Sequence, residues 1–133
     1  MHEISSDTQE WLAYSKRDLD SANHLLGMKP IPLEIICFHC QQSAEKALKA
    51  FMVEHKIEVI RTHDLKLLRK ICCDVSDFSV IETECSRLTP YAAQSRYPFV
   101  FEIEESDMRL ALYDAQTVWD FVQKELGLKN SCS

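Results

Sequence analysis

The chain has 133 residues with a hydrophobic fraction of 46% and a charged fraction of 27%, the composition of one globular domain. Its formal charge of −6 at pH 7 argues against a surface coated with Lys and Arg for nucleic-acid binding, and leaves room only for a local basic groove. With two glycines, Gly27 and Gly127, it has neither the Rossmann nor the P-loop phosphate-binding loop.

Six cysteines and an acidic, polar N-terminal segment predict free thiols in a reducing compartment, so we expect a cytoplasmic protein. No apolar run approaches the roughly 18 residues that span a membrane. Cys37 and Cys40 form a CxxC pair on the core side of a predicted helix, where buried free thiols are expected. Burial is also expected for Cys72, Cys73 and Cys85, and nothing indicates a metal site or a cofactor.

Helical periodicity predicts two long helices in the first half of the chain, separated by two prolines. The first helix ends at Gly27, and a capping box can start it. Two residue pairs have the required spacing: Asp7 with Glu10, and Ser6 with Gln9. The second helix runs from about residue 33 to residue 55.

Two shorter helices and a loop follow. Thr62 is expected to be the N-cap of the third helix, with Asp64 in its first turn, where the helix dipole favours an acid. The fourth helix begins at Asp77 and ends near Leu88. The segment "TPYAAQSRYPFVFEIEES" has no helical period and predicts a long ordered loop.

A last helix begins at a cap formed by Ser106 or Asp107 and stops at Gly127. Three long and two short helices with short connections predict an all-α fold, an antiparallel up-and-down bundle of four to five helices. We expect a single domain over residues 1–133, with its core from about residue 8 to residue 127.

The second helix carries a polar stripe beside its core face. The stripe consists of His39, Gln42, Lys46 and Lys49, at spacings of 3, 4 and 3 residues. Ile35, Phe38 and Val53 share that flank, whereas Gln41 is expected on the solvent edge. This pattern fits a solvated face with scattered apolar residues, and it equally fits a groove or a subunit contact.

Asp18 lies near the core side of the first helix, between Trp11 and Leu25 on the helical wheel. A carboxylate at the helix edge can be simply exposed, whereas a buried one needs a partner. Lys46 or Arg96 is the partner we expect if Asp18 is buried.

The loop before the last helix contains Tyr91, Arg96 and Tyr97. An arginine between tyrosines can grip a phosphate or a carboxylate in bidentate fashion. The same residues can instead pin the loop to the bundle.

Four stretches resemble, in order and spacing, the HEPN family (higher eukaryotes and prokaryotes nucleotide-binding domain). They are "WLAYSKRDLDSAN", "FHCQQSAEKALKAF", "RTHDLKLL" and "LTPYAAQSRYP". The resemblance implies a bundle similar to the C-terminal domain of kanamycin nucleotidyltransferase, and a homodimer. It also implies a separate minimal nucleotidyltransferase as partner in a toxin–antitoxin-type pair, and binding of nucleotide or RNA.

Other members of this family are metal-independent ribonucleases with an Arg, four to six residues, and then a His near the last helix. This chain departs from that pattern, because Arg109 is followed at the four-residue spacing by Asp114. Arg17 and His24 have six residues between them but lie in the first helix, on its exposed side, which we interpret as a chance match. The standard catalytic pair is therefore missing.

Three functions remain open. The first is a non-catalytic module that binds nucleotide or RNA through Asp18, the polar stripe and the loop residues. The second is a metal-independent endoribonuclease with a rearranged site, in which His39 or His63 is the acid or base and Arg96 contacts the phosphate. The third is an interaction-only helical dimer, in which His63 merely satisfies a helix terminus or a neighbouring carbonyl.

Overall fold

The computed structural model describes residues 3–92 and 102–128, and these residues form five α-helices with short 3-10 turns between them. The helices are α1 (Ser6–His24), α2 (Leu33–Glu54), α3 (Leu65–Cys72), α4 (Glu82–Leu88) and α5 (Glu105–Glu125). Within the described ranges there is no strand, which confirms the all-α prediction. The predicted loop opens with a 3-10 turn at Thr89–Ala92, and Arg96 and Tyr97 lie outside the described residues.

The ends of α1 differ from the predicted ones. Ser5 is the N-cap, and its hydroxyl accepts a hydrogen bond from the Thr8 N–H at 3.2 Å. Both predicted capping pairs are therefore wrong, because the chain is still extended at Ser5 and already helical at the next residue. The α-helix ends at His24, and a 3-10 turn continues it to Gly27.

The predicted N-caps of α3 and α5 are also wrong. Asp64 is the N-cap of α3 and accepts a hydrogen bond from the Lys66 N–H at 2.9 Å. Thr62 lies two residues earlier, where its hydroxyl accepts a hydrogen bond from the Asp64 N–H at 3.1 Å. Glu104 is the N-cap of α5, and Asp107 at the third helical position closes a capping box with it. Several polar residues near a helix start can each act as the N-cap. Sequence spacing alone therefore does not identify which residue is the N-cap.

The central helix of the bundle is α2, in which thirteen of 22 residues are buried. Helix α1 lies antiparallel to it, because Thr8 donates to Glu54 at 2.8 Å while Ser15 donates to the Ser43 carbonyl at 2.7 Å. Small side chains at this second contact allow the two helices to approach closely. The resulting seam between α1 and α2 is held by polar as well as apolar contacts.

The remaining helices close the core on the other side of α2. Phe78, in the 3-10 turn before α4, has its ring 4.6 Å from that of Phe51 and 5.0 Å from that of Phe121. Arg87 of α4 donates to both carboxylate oxygens of Asp114 on α5, at 2.9 and 2.7 Å. Asp114, the residue at the expected histidine position, is therefore committed to a structural ion pair.

Four of the cysteines predicted to be buried are buried, namely Cys37, Cys40, Cys72 and Cys85. Burial raises the pKa of Cys72 to about 12, which keeps that thiol protonated and inert. The prediction is wrong for Cys73, which is exposed because it follows the last turn of α3. Among the described helices, none is long and apolar enough to cross a membrane.

Candidate functional site at the seam of two helices

A three-residue ionic cluster joins α1 to α2. One carboxylate oxygen of Asp18 lies 2.9 Å from His39 Nδ1, and the other accepts from Lys46 Nζ at 2.5 Å. The Asp18 side chain is 13% exposed, so the ion pair is largely shielded from water. The expected pairing of Asp18 with Lys46 is therefore confirmed.

The spacing of the helices explains this cluster. His39 and Lys46 are seven residues apart on α2, two helical turns that place them on one face about 10 Å apart. Asp18 comes from the antiparallel helix α1 and lies between them, one turn beyond the Ser15–Ser43 contact. The close approach at the two serines brings the carboxylate within reach of both side chains.

A second polar cluster lies on the opposite flank of α2 and centres on Glu45. This carboxylate lies 2.9 Å from Lys49 Nζ and 2.8 Å from His63 Nδ1, and it accepts from Gln41 Nε2 at 3.2 Å. Burial acts to raise the pKa of Glu45, but the hydrogen bonds from Lys49, His63 and Gln41 outweigh it, so the pKa is lowered. The cluster fixes the segment before α3 against α2, since Gln41 also donates to the His63 carbonyl at 3.0 Å.

This second cluster divides the predicted polar stripe. Gln41, expected on the solvent edge, is fully buried, and Lys49, expected in a groove, is 7% exposed. The expectation for Gln41 is wrong because the chain returns over this flank of α2 after the helix ends, and helical periodicity contains no information about such a cover. Lys49 is paired with Glu45, one turn away on the same helix. Gln42 stays partly exposed and donates to Gln41 Oε1 at 2.7 Å. His63 contacts Glu45 through its ring and helps to hold the fold.

On one side of Asp18, a cleft of about 380 Å³ opens between α1 and α2, and we call it the aromatic cleft. Its lining residues are Asp7, Glu10, Trp11, Tyr14, Lys46 and Val53. Tyr14 is 44% exposed, and the ring of Trp11 has Lys49 Nζ 5.9 Å from its centroid. The cleft therefore offers two aromatic side chains and two carboxylates to a ligand.

On the other side of Asp18 lies a wider, shallow depression of about 840 Å³, which we call the basic depression. It is lined by Ala13, Lys16, Arg17, Asp20, Ser21, His24, Leu25 and His39. Lys16 is paired with Asp20, whereas Arg17 has no carboxylate partner within residues 3–92 and 102–128 and lies 4.9 Å from the Tyr14 ring. Arg17 is thus the cation available to an anionic ligand here.

The other predicted site residues do not join these two cavities. Tyr91 is partly buried beside Cys37, and burial, together with the nearby Cys37 and Asp107, raises the pKa of Tyr91 to about 12. It lies between α2 and α5 and lines neither cavity. Within the described part of the chain, no group of three or more His, Cys, Asp or Glu side chains is arranged to hold a metal ion.

Sequence reasoning misses most of the residues on α1. Periodicity places Trp11 on the core side and does not single out Tyr14, while the spacing of Arg17 and His24 is interpreted as a chance match. The available signal is their spacing, because residues 14, 17, 21 and 24 are three or four apart and share one face of α1. Arg17 and His24 do lie on the exposed side as predicted, but together with His39 they line a single depression.

A central helix buried among four others, with an ionic seam to its neighbour, defines a class of small helical bundle. The family model for the HEPN domain matches residues 8–126, so the chain belongs to the HEPN domain family. This membership confirms the resemblance in the sequence motifs.

Two solved structures are similar to this fold. The crystal structure of ST0689, an archaeal HEPN homologue, has a TM-score of 0.70 at 24% identity, covering 90% of this chain and 97% of the homologue. That of TT1696 from Thermus thermophilus has a TM-score of 0.75 at 23% identity, covering 91% of this chain and 99% of TT1696. Comparison with curated proteins finds no match.

The Asp18 cluster should contribute to stability. Asp18→Asn removes the charge between His39 and Lys46, and we expect it to lower the free energy of unfolding by about 1–2 kcal/mol. Asp20→Asn is the matched control on the same helix, because its ion pair with Lys16 is solvent-exposed and should contribute less than about 0.5 kcal/mol. Urea denaturation of the three proteins measures both values, and equal stability of the two variants would contradict the assignment.

Glu45 should make stability depend on pH. Its pKa in the folded protein lies below the ordinary value of 4.5, so its contribution is present above that value and is lost as the pH falls through the folded pKa. Glu45→Gln should therefore be less stable than wild type at pH 7, with a smaller difference at about pH 3. Urea denaturation at both values measures this, with the exposed Glu58→Gln as control; a difference that is the same at both values would refute it.

Proposed function

We propose that this chain is a non-catalytic nucleotide- or RNA-binding module whose binding surface is the seam between α1 and α2. The observation that carries the proposal is the position of the aromatic cleft beside the basic depression, with Asp18 between them. Exposed aromatic rings next to a free arginine are the combination that binds single-stranded nucleic acid, because rings stack on bases and cations contact phosphates. Membership of the HEPN family supports the same function.

One part of this surface has a charge that suits an anionic ligand. The whole chain has a formal charge of −6, so an anionic ligand is repelled by most faces. In the basic depression Arg17 is exposed and has no carboxylate partner among the described residues. A phosphate group can therefore contact Arg17 there.

The proposal includes a second polypeptide that supplies any transfer chemistry. The two glycines are followed by Met28 and Leu128, so the chain lacks the Gly-Ser turn of a nucleotidyltransferase. The partner that supplies this chemistry is a separate minimal nucleotidyltransferase, which forms a toxin–antitoxin-type pair with this chain. A homodimer is also proposed, with the partly apolar flank of α2 as the contact; that flank carries Ile35, which is 41% exposed, together with Phe38.

A metal-independent ribonuclease is the second candidate, and one observation favours it. The basic depression brings Arg17, His24 and His39 to one surface, and two histidines with an arginine can supply acid, base and phosphate contact. His39 is held at Nδ1 by Asp18, a contact that orients an imidazole. The sequence-based alternative with His63 is weaker, because His63 bonds to Glu45 in the other cluster.

Binding should depend on Arg17. We expect Arg17→Gln to weaken binding of a short single-stranded RNA about three- to tenfold and to reduce the salt dependence by about one phosphate contact. Arg61→Gln is the matched control, since Arg61 is exposed in the segment before α3 and lines neither cavity. Fluorescence anisotropy at two salt concentrations measures both effects. Equal affinities of the two variants, or no RNA binding by the wild type, would refute the assignment.

The same RNA distinguishes the two candidate functions. Incubation with the wild-type protein in EDTA should leave the RNA intact if the module only binds. Cleavage that persists in EDTA and is lost in His39→Ala would replace the binding function with the ribonuclease.

The partner should be recovered with the chain. Purification of the tagged protein from its native host is expected to yield a complex that contains a minimal nucleotidyltransferase and two copies of this chain. Mass spectrometry and light scattering measure the composition and the mass. Recovery only as a free homodimer, without nucleotidyltransferase or nucleotide, would count against the paired function.

A further inference from the structure

We propose that the aromatic cleft is a base-recognition subsite that selects a nucleobase with an exocyclic amine, and so prefers cytosine to uracil. The proposal rests on the proposed function, because it assigns a base preference to one end of the same surface. It follows from the shape of the cleft, from the charge of its walls and from its position relative to Arg17.

The walls of the cleft suit a flat, unsaturated ring. Trp11 and Tyr14 are three residues apart on α1, so their side chains lie one above the other on that helix. Val53 of α2 lines the facing wall and contributes an apolar surface. A nucleobase gains stacking energy on such side chains whatever its identity, so the rings explain binding but not selection.

Selection comes from the carboxylates. Asp7 and Glu10 line the cleft, are exposed, and accept no hydrogen bond from any side chain within residues 3–92 and 102–128. Lys46 also lines it, but its ammonium group is held by Asp18 at 2.5 Å. The free charged groups of the cleft are therefore carboxylates, which repel a phosphate and favour a ligand that donates hydrogen bonds.

Cytosine provides that donor as an exocyclic amine, whereas the N3–H of uracil lies in the ring between two carbonyl oxygens. The exocyclic amine of cytosine donates to Asp or Glu in protein–nucleic acid contacts, whereas the corresponding group of uracil is a carbonyl oxygen that repels a carboxylate. Adenine and guanine also carry exocyclic amines, so the selection is against uracil. The ring size of the purines is a separate variable, which makes cytosine and uracil the cleanest comparison.

The distance along α1 places the phosphate correctly. Trp11 and Arg17 are six residues apart, which is roughly 9 Å along a helix axis and within the length of one to two nucleotides. The Tyr14 ring lies between them and is 4.9 Å from the Arg17 guanidinium. A base in the aromatic cleft can therefore direct its phosphate toward the basic depression.

The test compares CMP with UMP, and short oligocytidylate with oligouridylate of equal length, by isothermal titration calorimetry. We expect the wild type to bind the cytosine ligand at least about fivefold more tightly. Glu10→Gln should bring the two affinities within about twofold, because an amide both donates and accepts. Arg17→Gln should weaken both ligands and keep their ratio, and Glu58→Gln, outside the cleft, should keep the ratio of the wild type.

The titrations distinguish a failure of the base selection from a failure of the proposed function. Equal affinities for the cytosine and uracil ligands in the wild type, or a preference that survives both Glu10→Gln and Asp7→Asn, would overturn the base selection while the module still binds RNA. In that case the cleft would bind a cationic group instead of a base, such as a lysine of a protein partner. The absence of binding to all four ligands would remove the proposed function itself. Unchanged melting temperatures of the variants confirm that they fold, as expected for exposed side chains.

Discussion

The contact of Asp18 with His39 and Lys46 is the interaction on which the proposed binding surface depends. It sets the register of α1 on α2 with a charged group that has two partners, so sliding the helices would break both contacts. An apolar seam alone would tolerate small shifts, because hydrophobic contact is not directional. Since Lys46 lines one cavity and His39 lines the other, the same carboxylate fixes the walls of both.

Most of the fold could be predicted from the sequence, because it follows from local patterns. Periodic apolar residues locate the three long helices to within a few positions, and Gly127 stops α5 with a φ of 76°, a conformation that glycine adopts without strain. The fourth helix begins at Glu82 rather than at Asp77, because a 3-10 turn precedes it. The pairing of Asp18 with Lys46 was also within reach, because a carboxylate near the core needs a cation and few were available. These inferences need only one helix and its neighbour.

The candidate site is harder to predict from the sequence because it depends on which segments of the chain pack over each helix. His63 joins Gln41, Glu45 and Lys49 only because the segment after α2 folds back along that helix, and no periodicity in α2 encodes that return. The sequence groups Tyr91 with the site through its neighbours in the chain, yet it packs between α2 and α5 beside Cys37. The predicted N-caps are wrong for a different reason. Several adjacent polar residues can each accept hydrogen bonds from the free N–H groups at a helix start.

The peripheral position of α1 has a consequence for control of this surface. Only five of the 19 residues of α1 are buried, compared with thirteen of 22 in α2, so α1 is the helix that opens at lower cost. Both cavities have a wall on α1, and both disappear together when that helix leaves the bundle. Access to the proposed binding surface is thereby tied to the docking of one helix.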